Sequence, residues 1–196
     1  PVLLAVLMVS CLLLLSNTAF PAYFAGAQFV HFLLGPATVA LAVPLYRHLP
    51  QVRRAFVPMM LALVAGSVAA IGSAVLLARA FGLGLPATLA LAPKSSTAAI
   101  AMGIGETVGA DPALVAMLTI MTGICGAVVV TPLMNLLRLR NYAARGFAAG
   151  LASHGIGTAR AFQVNSLAGT FAGIAMGPNG LLTAVLVPLL LPLLLK

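Results

Sequence analysis

The chain has almost no acid. Of its 196 residues, Asp and Glu together account for 2, Lys and Arg for 10, and charged residues make up 6%. Soluble domains carry about 25% charged residues, so this supply cannot build a water-facing surface. The same scarcity weakens every enzyme reading. No Ser-His-acid set has a visible context, no His/Glu cluster suggests a metal, and no Walker A loop is present to cradle ATP. The expectation is a non-enzymatic chain with no metal and no cofactor. Trp is absent and aromatics reach only 6%, which leaves no strong aromatic belt. The two cysteines, Cys11 and Cys125, lie in apolar runs without metal-ligand spacing and read as inert core residues.

What remains is apolar. Hydrophobic residues make up 62%, in continuous stretches: Val2 to Leu15, Phe56 to Ala78, Pro112 to Leu137 and Leu181 to Leu195. In lipid every backbone polar group must be satisfied within the chain, which leaves helices or a closed barrel. Barrel strands alternate apolar and polar residues; these runs do not, and about 20 apolar residues span a bilayer as a helix. The fold class expected is all-α, a polytopic integral membrane protein, and residues 1–196 read as one transmembrane domain. Pro1 opens straight into an apolar run with no charged n-region, so the first segment is not expected to be a signal peptide; a trimmed chain that lost an upstream span is expected. The net charge of +8 would suggest nucleic acid in a soluble protein; here it reads as topology, because Lys and Arg collect in cytoplasmic loops.

The expected elements are a helix from Val2 to Ser16, an element from Tyr23 to Tyr46 broken at Gly35-Pro36 and Pro44, and helices from Phe56 to Phe81 and from Pro112 to Leu137. Between those two helices, an element from Pro86 to Gly105 is broken at Pro93. Phe147 to Phe162 is a further element, and the last apolar section is broken at Gly177-Pro178-Asn179-Gly180. One basic loop holds Arg47, His48, Arg53 and Arg54; another holds Arg138, Arg140 and Arg145. If both loops are cytoplasmic, an even number of crossings separates them. Residues 86–105 are the weakest spanner, with a proline, a lysine and several glycines, so they are expected to be re-entrant, turning near Pro93-Lys94. Glu106 and Asp111 then lie outside. The alternative is a full crossing with one basic loop outside. A faint echo between Thr38-Val39-Ala40-Leu41-Ala42-Val43 and Thr97-Ala98-Ala99-Ile100-Ala101-Met102 allows an inverted repeat, as in many secondary transporters.

Pro93-Lys94-Ser95-Ser96-Thr97 is the most informative stretch. A lysine in an apolar segment is costly and normally faces a cavity or partner. With three hydroxyls, and the free N–H groups of any helix that begins here, it could hold a carboxylate or other anion. The competing reading is a snorkelling interfacial lysine beside a hydroxyl N-cap. His154 and Thr158 lie four apart, on one face if helical, and the Arg160 fork could grip a carboxylate or a lipid phosphate. His154 could carry a proton, as could Glu106, although a hydrogen-bonded structural histidine and a solvated loop glutamate are the plainer readings. Asp111 before Pro112 reads as a helix N-cap. Thr38 beside the broken Gly35-Pro36 could line a pocket.

Leu34-Gly-Pro-Ala-Thr-Val-Ala-Leu-Ala-Val-Pro-Leu-Tyr46, Leu91-Ala-Pro-Lys-Ser-Ser-Thr97, Ala144-Arg-Gly146 and Ala152-Ser-His-Gly-Ile-Gly-Thr-Ala-Arg160 resemble, in order and over almost the whole chain, the LrgB/CidB family. That family includes the C-terminal half of the plant plastidial glycolate/glycerate translocator. The resemblance implies two functional pictures. One is a carrier for small monocarboxylates such as glycolate, glycerate or pyruvate. The other is a holin- or antiholin-like regulator of murein hydrolase activity and lysis. It also implies a small LrgA/CidA-type membrane partner and an oligomer. The family pattern carries over to Lys94, Ser95, Thr97, Glu106, His154, Thr158 and Arg160. It departs at Ser96 and Ala98, where many relatives carry Thr-Thr-Pro. The expectation is a carrier in which Lys94, Ser95, Ser96, Thr97, Thr38, His154, Thr158 and Arg160 bind the substrate and Glu106 or His154 couples a proton. The Arg-, Ala- and Gly-rich usage favours a bacterial inner membrane over a plastid inner envelope.

Overall fold

The computed structural model describes residues 2–19, 21–27 and 42–195, which are helical with no strand among them. They fall into two units, residues 1–47 and 48–196. The first unit holds α1 (Val2–Leu15), a helical stretch over residues 21–27, and α2 (Ala42–Arg47). At 14 residues, α1 rises about 21 Å, short of the roughly 30 Å hydrocarbon core. Much of the broken element expected over residues 23–46, including His31, Gly35-Pro36 and Thr38, lies outside the described residues.

The second unit holds α3 (Leu49–Arg54), α4 (Phe56–Ala80), α5 (Leu85–Leu91), α6 (Ala98–Thr107), α7 (Pro112–Leu136), α8 (Tyr142–Val164) and α9 (Ser166–Leu194). The segment around Arg53 and Arg54, expected as loop, is helical: Pro50 presets the first turn of α3, and the arginines sit in its last turn, where cations suit the helix end. Among the described residues three helices are long and apolar enough to cross a membrane, namely α4, α7 and α9. Their outward faces are greasy: along α9, Leu181, Val185, Leu189 and Leu193 are exposed. The opposite stripe of α9, Asn179, Thr183, Val187 and Leu191, is buried at the same four-residue spacing. An apolar exterior around a core that contains polar side chains is what lipid demands.

Packing at the two ends fixes the path of the chain. At one end Arg79 donates to the Leu194 carbonyl, joining the last turns of α4 and α9, and Ile71, Val75 and Leu191 cluster with Val108, just past α6. At the other end Met59 and Leu63 of α4 pack with Phe147, Leu151, Phe171 and Ala175. Between α4 and α7 the chain does not cross. Ala90 of α5 and Ala101 of α6 share a cluster with Ala110 and Val115, at the start of α7, so α5 and α6 are the descending and ascending legs of one hairpin, and α4 and α7 run antiparallel. The expected re-entrant element is therefore present, with its turn over residues 92–97.

A second hairpin lies in α8. The backbone leaves helical geometry at Ser153 (φ −132°, ψ 15°) and His154 (φ 42°, ψ −134°), and the chain turns back on itself. Ala149 and Ala161 pack together with Ala168 and Ala172, and a side chain at Gly157 would meet the Ala149 carbonyl oxygen at 2.5 Å. Glycines permit this: any Cβ at Gly146 or Gly150 would overlap the carbonyl oxygen of Ala168 or Ala172 in α9. Because one span, α7, separates the hairpins, they insert from opposite faces. The first opens on the face of Glu106 and Asp111, the acidic face; the second opens on the face of Arg138 and Arg140, the basic face. The inverted relation thus lies between residues 85–136 and 142–194, each a hairpin followed by a span. The relation suggested by the Thr38 echo involves residues outside those described.

Two further expectations are corrected. The Gly177-Pro178-Asn179-Gly180 section does not break: α9 runs through Pro178, Pro188 and Pro192. Pro178 lacks only the N–H that would bond the Ile174 carbonyl, and α9 keeps packed neighbours on both sides of it. Cys11 and Cys125 are exposed rather than core, since the apolar helix surfaces that carry them face outward. Asp111 is an N-cap as expected, its carboxylate accepting from Leu114 N at 2.8 Å.

Candidate functional site

The tip of the first hairpin is built by proline and serine. Pro93 ends α5, and its carbonyl accepts from Ser96 N at 3.0 Å and from Ser96 Oγ at 2.9 Å, closing a tight turn. Lys94 N reaches back to the Leu91 carbonyl at 3.2 Å. Thr97 then starts α6 in an extended conformation with no side-chain cap bond, so the first N–H groups of α6 keep their positive character at the tip. Ser95 and Ser96 are buried and Lys94 is half-buried. Among the described residues the Lys94 ammonium has no hydrogen bond or ion pair. Asp111, one of the chain's 2 acids, is occupied as a cap.

The second tip is built by backbone strain and glycine. His154 holds φ at 42°, a region costly for a residue with a Cβ. Two bonds hold it there. Nε2–H donates to the Thr119 carbonyl on α7 at 2.9 Å; a carbonyl only accepts, so Nε2 carries the proton. The His154 carbonyl in turn accepts from Thr158 Oγ1 at 2.8 Å. Gly123 and Gly126 on α7 leave room for the tip: a Cβ at either would strike His154 or Ser153.

The two tips meet at one side chain. Asn179 of α9, fully buried, donates through Nδ2 to the Ser95 carbonyl at 2.9 Å and to the Leu151 carbonyl at 3.2 Å. Its Oδ1 accepts from Ser67 Oγ of α4 at 2.7 Å. Both backbone partners are pure acceptors, so the amide orientation follows from chemistry: the NH₂ must face them and Ser67 must donate. Nearby in the fold, Thr119 Oγ1, Ser153 Oγ and Thr183 Oγ1 are buried without a hydrogen-bond partner among the described residues. Such groups cost about 1–3 kcal/mol each when left dry.

The residues expected to act together divide. Lys94, Ser95, Ser96 and Thr97 form one tip; His154 and Thr158 form the other. Arg160 does not join them. It sits on the returning leg near the basic face, where it lines a shallow cleft with Tyr142 and Arg145 and bonds Gln163 at 3.4 Å. Glu106 is exposed near the end of α6, at the base of the first hairpin rather than its tip. Thr38 lies outside the described residues. Sequence reasoning missed Asn179, Ser67, Ser153 and Thr119. For Asn179 the signal was available: a primary amide in the middle of a long apolar run is costly unless it is bonded within the protein.

Apolar spans around two opposed re-entrant hairpins define a polytopic helical membrane protein with a polar centre. The chain belongs to the LrgB-like family, which matches residues 1–193. A relative from Bacillus subtilis (strain 168), Uncharacterized protein YwbG, is 36% identical over 92% of this chain and 80% of its own length. Antiholin-like protein LrgB of Bacillus mycoides (strain KBAB4) is 28% identical over 98% of this chain and 84% of its own. The protein of the same name from Bacillus cereus (strain B4264) gives the same figures. No solved structure matches.

Proposed function

We propose a function at two levels. In the cell, the reading the two LrgB relatives support is an antiholin-like role in restraining murein hydrolysis and lysis, since both are named antiholin-like proteins. On this level the comparisons favour lysis regulation over any particular transport activity. At the level of the molecule, the geometry favours a carrier for a small monocarboxylate of the glycolate, glycerate or pyruvate kind. The observation that carries this is Lys94: a half-buried cation at the tip of a re-entrant hairpin, beside a helix N-terminus and buried serines, with no anion beside it among the described residues. A substrate carboxylate would supply that anion. Of the coupling candidates, His154 stands at a tip and Glu106 does not, so His154 is the better proton carrier. Arg160, near the basic face, would meet the substrate on its way in or out rather than at the centre. The positive-inside rule orients the basic face toward the cytoplasm. In a bacterial inner membrane, a small LrgA/CidA-type protein would be the natural partner.

The test is uptake of labelled glycolate, glycerate and pyruvate into proteoliposomes, with and without the small partner, for wild type and Lys94→Gln. Saturable uptake that the substitution abolishes, in protein that still inserts, is the expected result. Leakage of an unrelated dye, with no saturable uptake in any condition and no effect of Lys94→Gln, would overturn the carrier reading and leave a pore-based antiholin role.

A further inference from the structure

We propose that Asn179 is a two-sided latch: by bonding the tips of both hairpins at once it holds the centre closed to both faces, and release of one tip at a time opens the centre to one face. Four independent features support it. The amide is fully buried and reaches three elements besides its own: the α5–α6 turn, the first leg of α8, and α4. The groups it bonds are backbone carbonyls at the ends of the two inserted legs, atoms that move whenever a tip moves. The hairpins open on opposite faces, so breaking the bond to Ser95 and breaking the bond to Leu151 have opposite consequences for access. Finally, the residues beside Asn179 differ from ordinary helix: Pro178 deprives the Ile174 carbonyl of its usual donor, and Gly180 lets Ile100 of α6 pack so closely that a Cβ there would meet it at 2.7 Å, so the first hairpin touches α9 at the level of the amide.

Ser67 completes the device. Its hydroxyl holds Oδ1 and so aims both N–H bonds at the tips. An aspartate of the same shape could still accept from Ser67, but where the amide turns two N–H groups toward the two carbonyls an ionised carboxylate turns a single acceptor oxygen, so the ionised Asn179→Asp variant should release both tips as fully as Asn179→Ala. The proposal rests on the carrier reading only for what the openings would admit. Its test needs no substrate, so failure of one and failure of the other are separable.

The experiment uses the full chain in sealed proteoliposomes of known orientation, with Cys11 and Cys125 replaced by serine. A single thiol is placed at the first tip by Ser96→Cys or at the second by Ser153→Cys, and its modification by a membrane-impermeant maleimide is followed from each side. With Asn179 intact, both thiols should react slowly. Asn179→Ala should speed labelling of the first tip by about tenfold or more from the acidic face, and of the second by a similar factor from the basic face. Asn179→Asp should match it, and Ser67→Ala should give a smaller rise with the same sidedness. Unchanged labelling in Asn179→Ala and Asn179→Asp would overturn the latch. Equal acceleration of both thiols from both faces would also overturn it, because that is the signature of general loosening. If neither Asn179 variant inserts, Ser67→Ala decides: a sided rise supports the latch, and an unsided or absent one refutes it.

Discussion

The two hairpins solve the same problem by different chemistry. Leu85 to Thr107 and Tyr142 to Val164 have the same length; each dips into the fold, reverses and leaves by the face it came from. The first reverses over residues 92–97 with a proline, two buried serines and a lysine, and its backbone stays in ordinary conformations. The second reverses at two residues, holds one of them at positive φ, and relies on glycines so that its legs and α9 can touch backbone to backbone. A tip made with proline and hydroxyls carries a charge and leaves helix N–H groups without a side-chain cap. A tip made with strain and glycine is compact and spends its side chains on holding its own shape. On the proposed carrier reading, ligand contact falls chiefly to the first hairpin; the geometry of the second is one of close, precise packing.

That contrast can be broken. Gly150→Val should prevent assembly of α8 on α9 altogether, since even a Cβ overlaps the Ala172 carbonyl and overpacking against backbone has no cheap relief; recovery of folded monodisperse protein from detergent reads this out. By contrast Gly103→Ala on α6, where a Cβ meets nothing within 4 Å, should be stabilising by about 0.5–1 kcal/mol through helix propensity alone. If Gly103→Ala proved as damaging as Gly150→Val, the hairpins would not differ as described.

His154 gives a smaller effect with a diagnostic sign. Either His154→Ala or His154→Gly removes the bond to the Thr119 carbonyl, at about 1–3 kcal/mol for a buried group left unpaired. Glycine should recover about 1–2 kcal/mol of that loss, because positive φ costs it nothing. Denaturant titration of the two variants compares them, and an alanine variant as stable as the glycine one would remove strain from the account of the second tip. The smallest effects concern the spans that follow each hairpin. Asp111 caps α7 with one backbone bond, and Asn165 caps α9 with bonds to Leu167 N and Ala168 N. Replacing either by alanine should cost about 1 kcal/mol, with Asn165→Ala the larger loss, measured in the same titration.

Much of this architecture is legible in the residues. The helices expected from apolar runs match α4 and α7 to within a residue of their ends, because length and hydropathy alone govern a lipid-facing helix. The first hairpin follows from counting crossings between two basic segments, with Pro93 and Lys94 marking its turn. The second hairpin is harder to read, since its reversal depends on tertiary contact: Gly146, Gly150 and Gly157 permit a close approach but do not say to what. Gly177-Pro178-Asn179-Gly180 misleads for a related reason. Proline and glycine signal a break where water can solvate the freed backbone; inside a packed bundle the helix continues and the asparagine becomes the informative residue. Lys94 and His154 are legible as costly residues in apolar surroundings, whereas Arg160 looks like their companion only until the chain reversal carries it away.

A final consequence concerns ancestry. Each unit of hairpin plus span, residues 85–136 and 142–194, carries the chain across the membrane once. Any segment with a single net crossing, copied in tandem, inserts upside down relative to its original with no extra helix to turn it over. The two-faced arrangement on which the proposed latch depends is thus available from one duplication and a short connector, such as the residues between Leu136 and Tyr142. After such a duplication the copies are free to diverge, one tip keeping a charge and the other giving it up for rigidity.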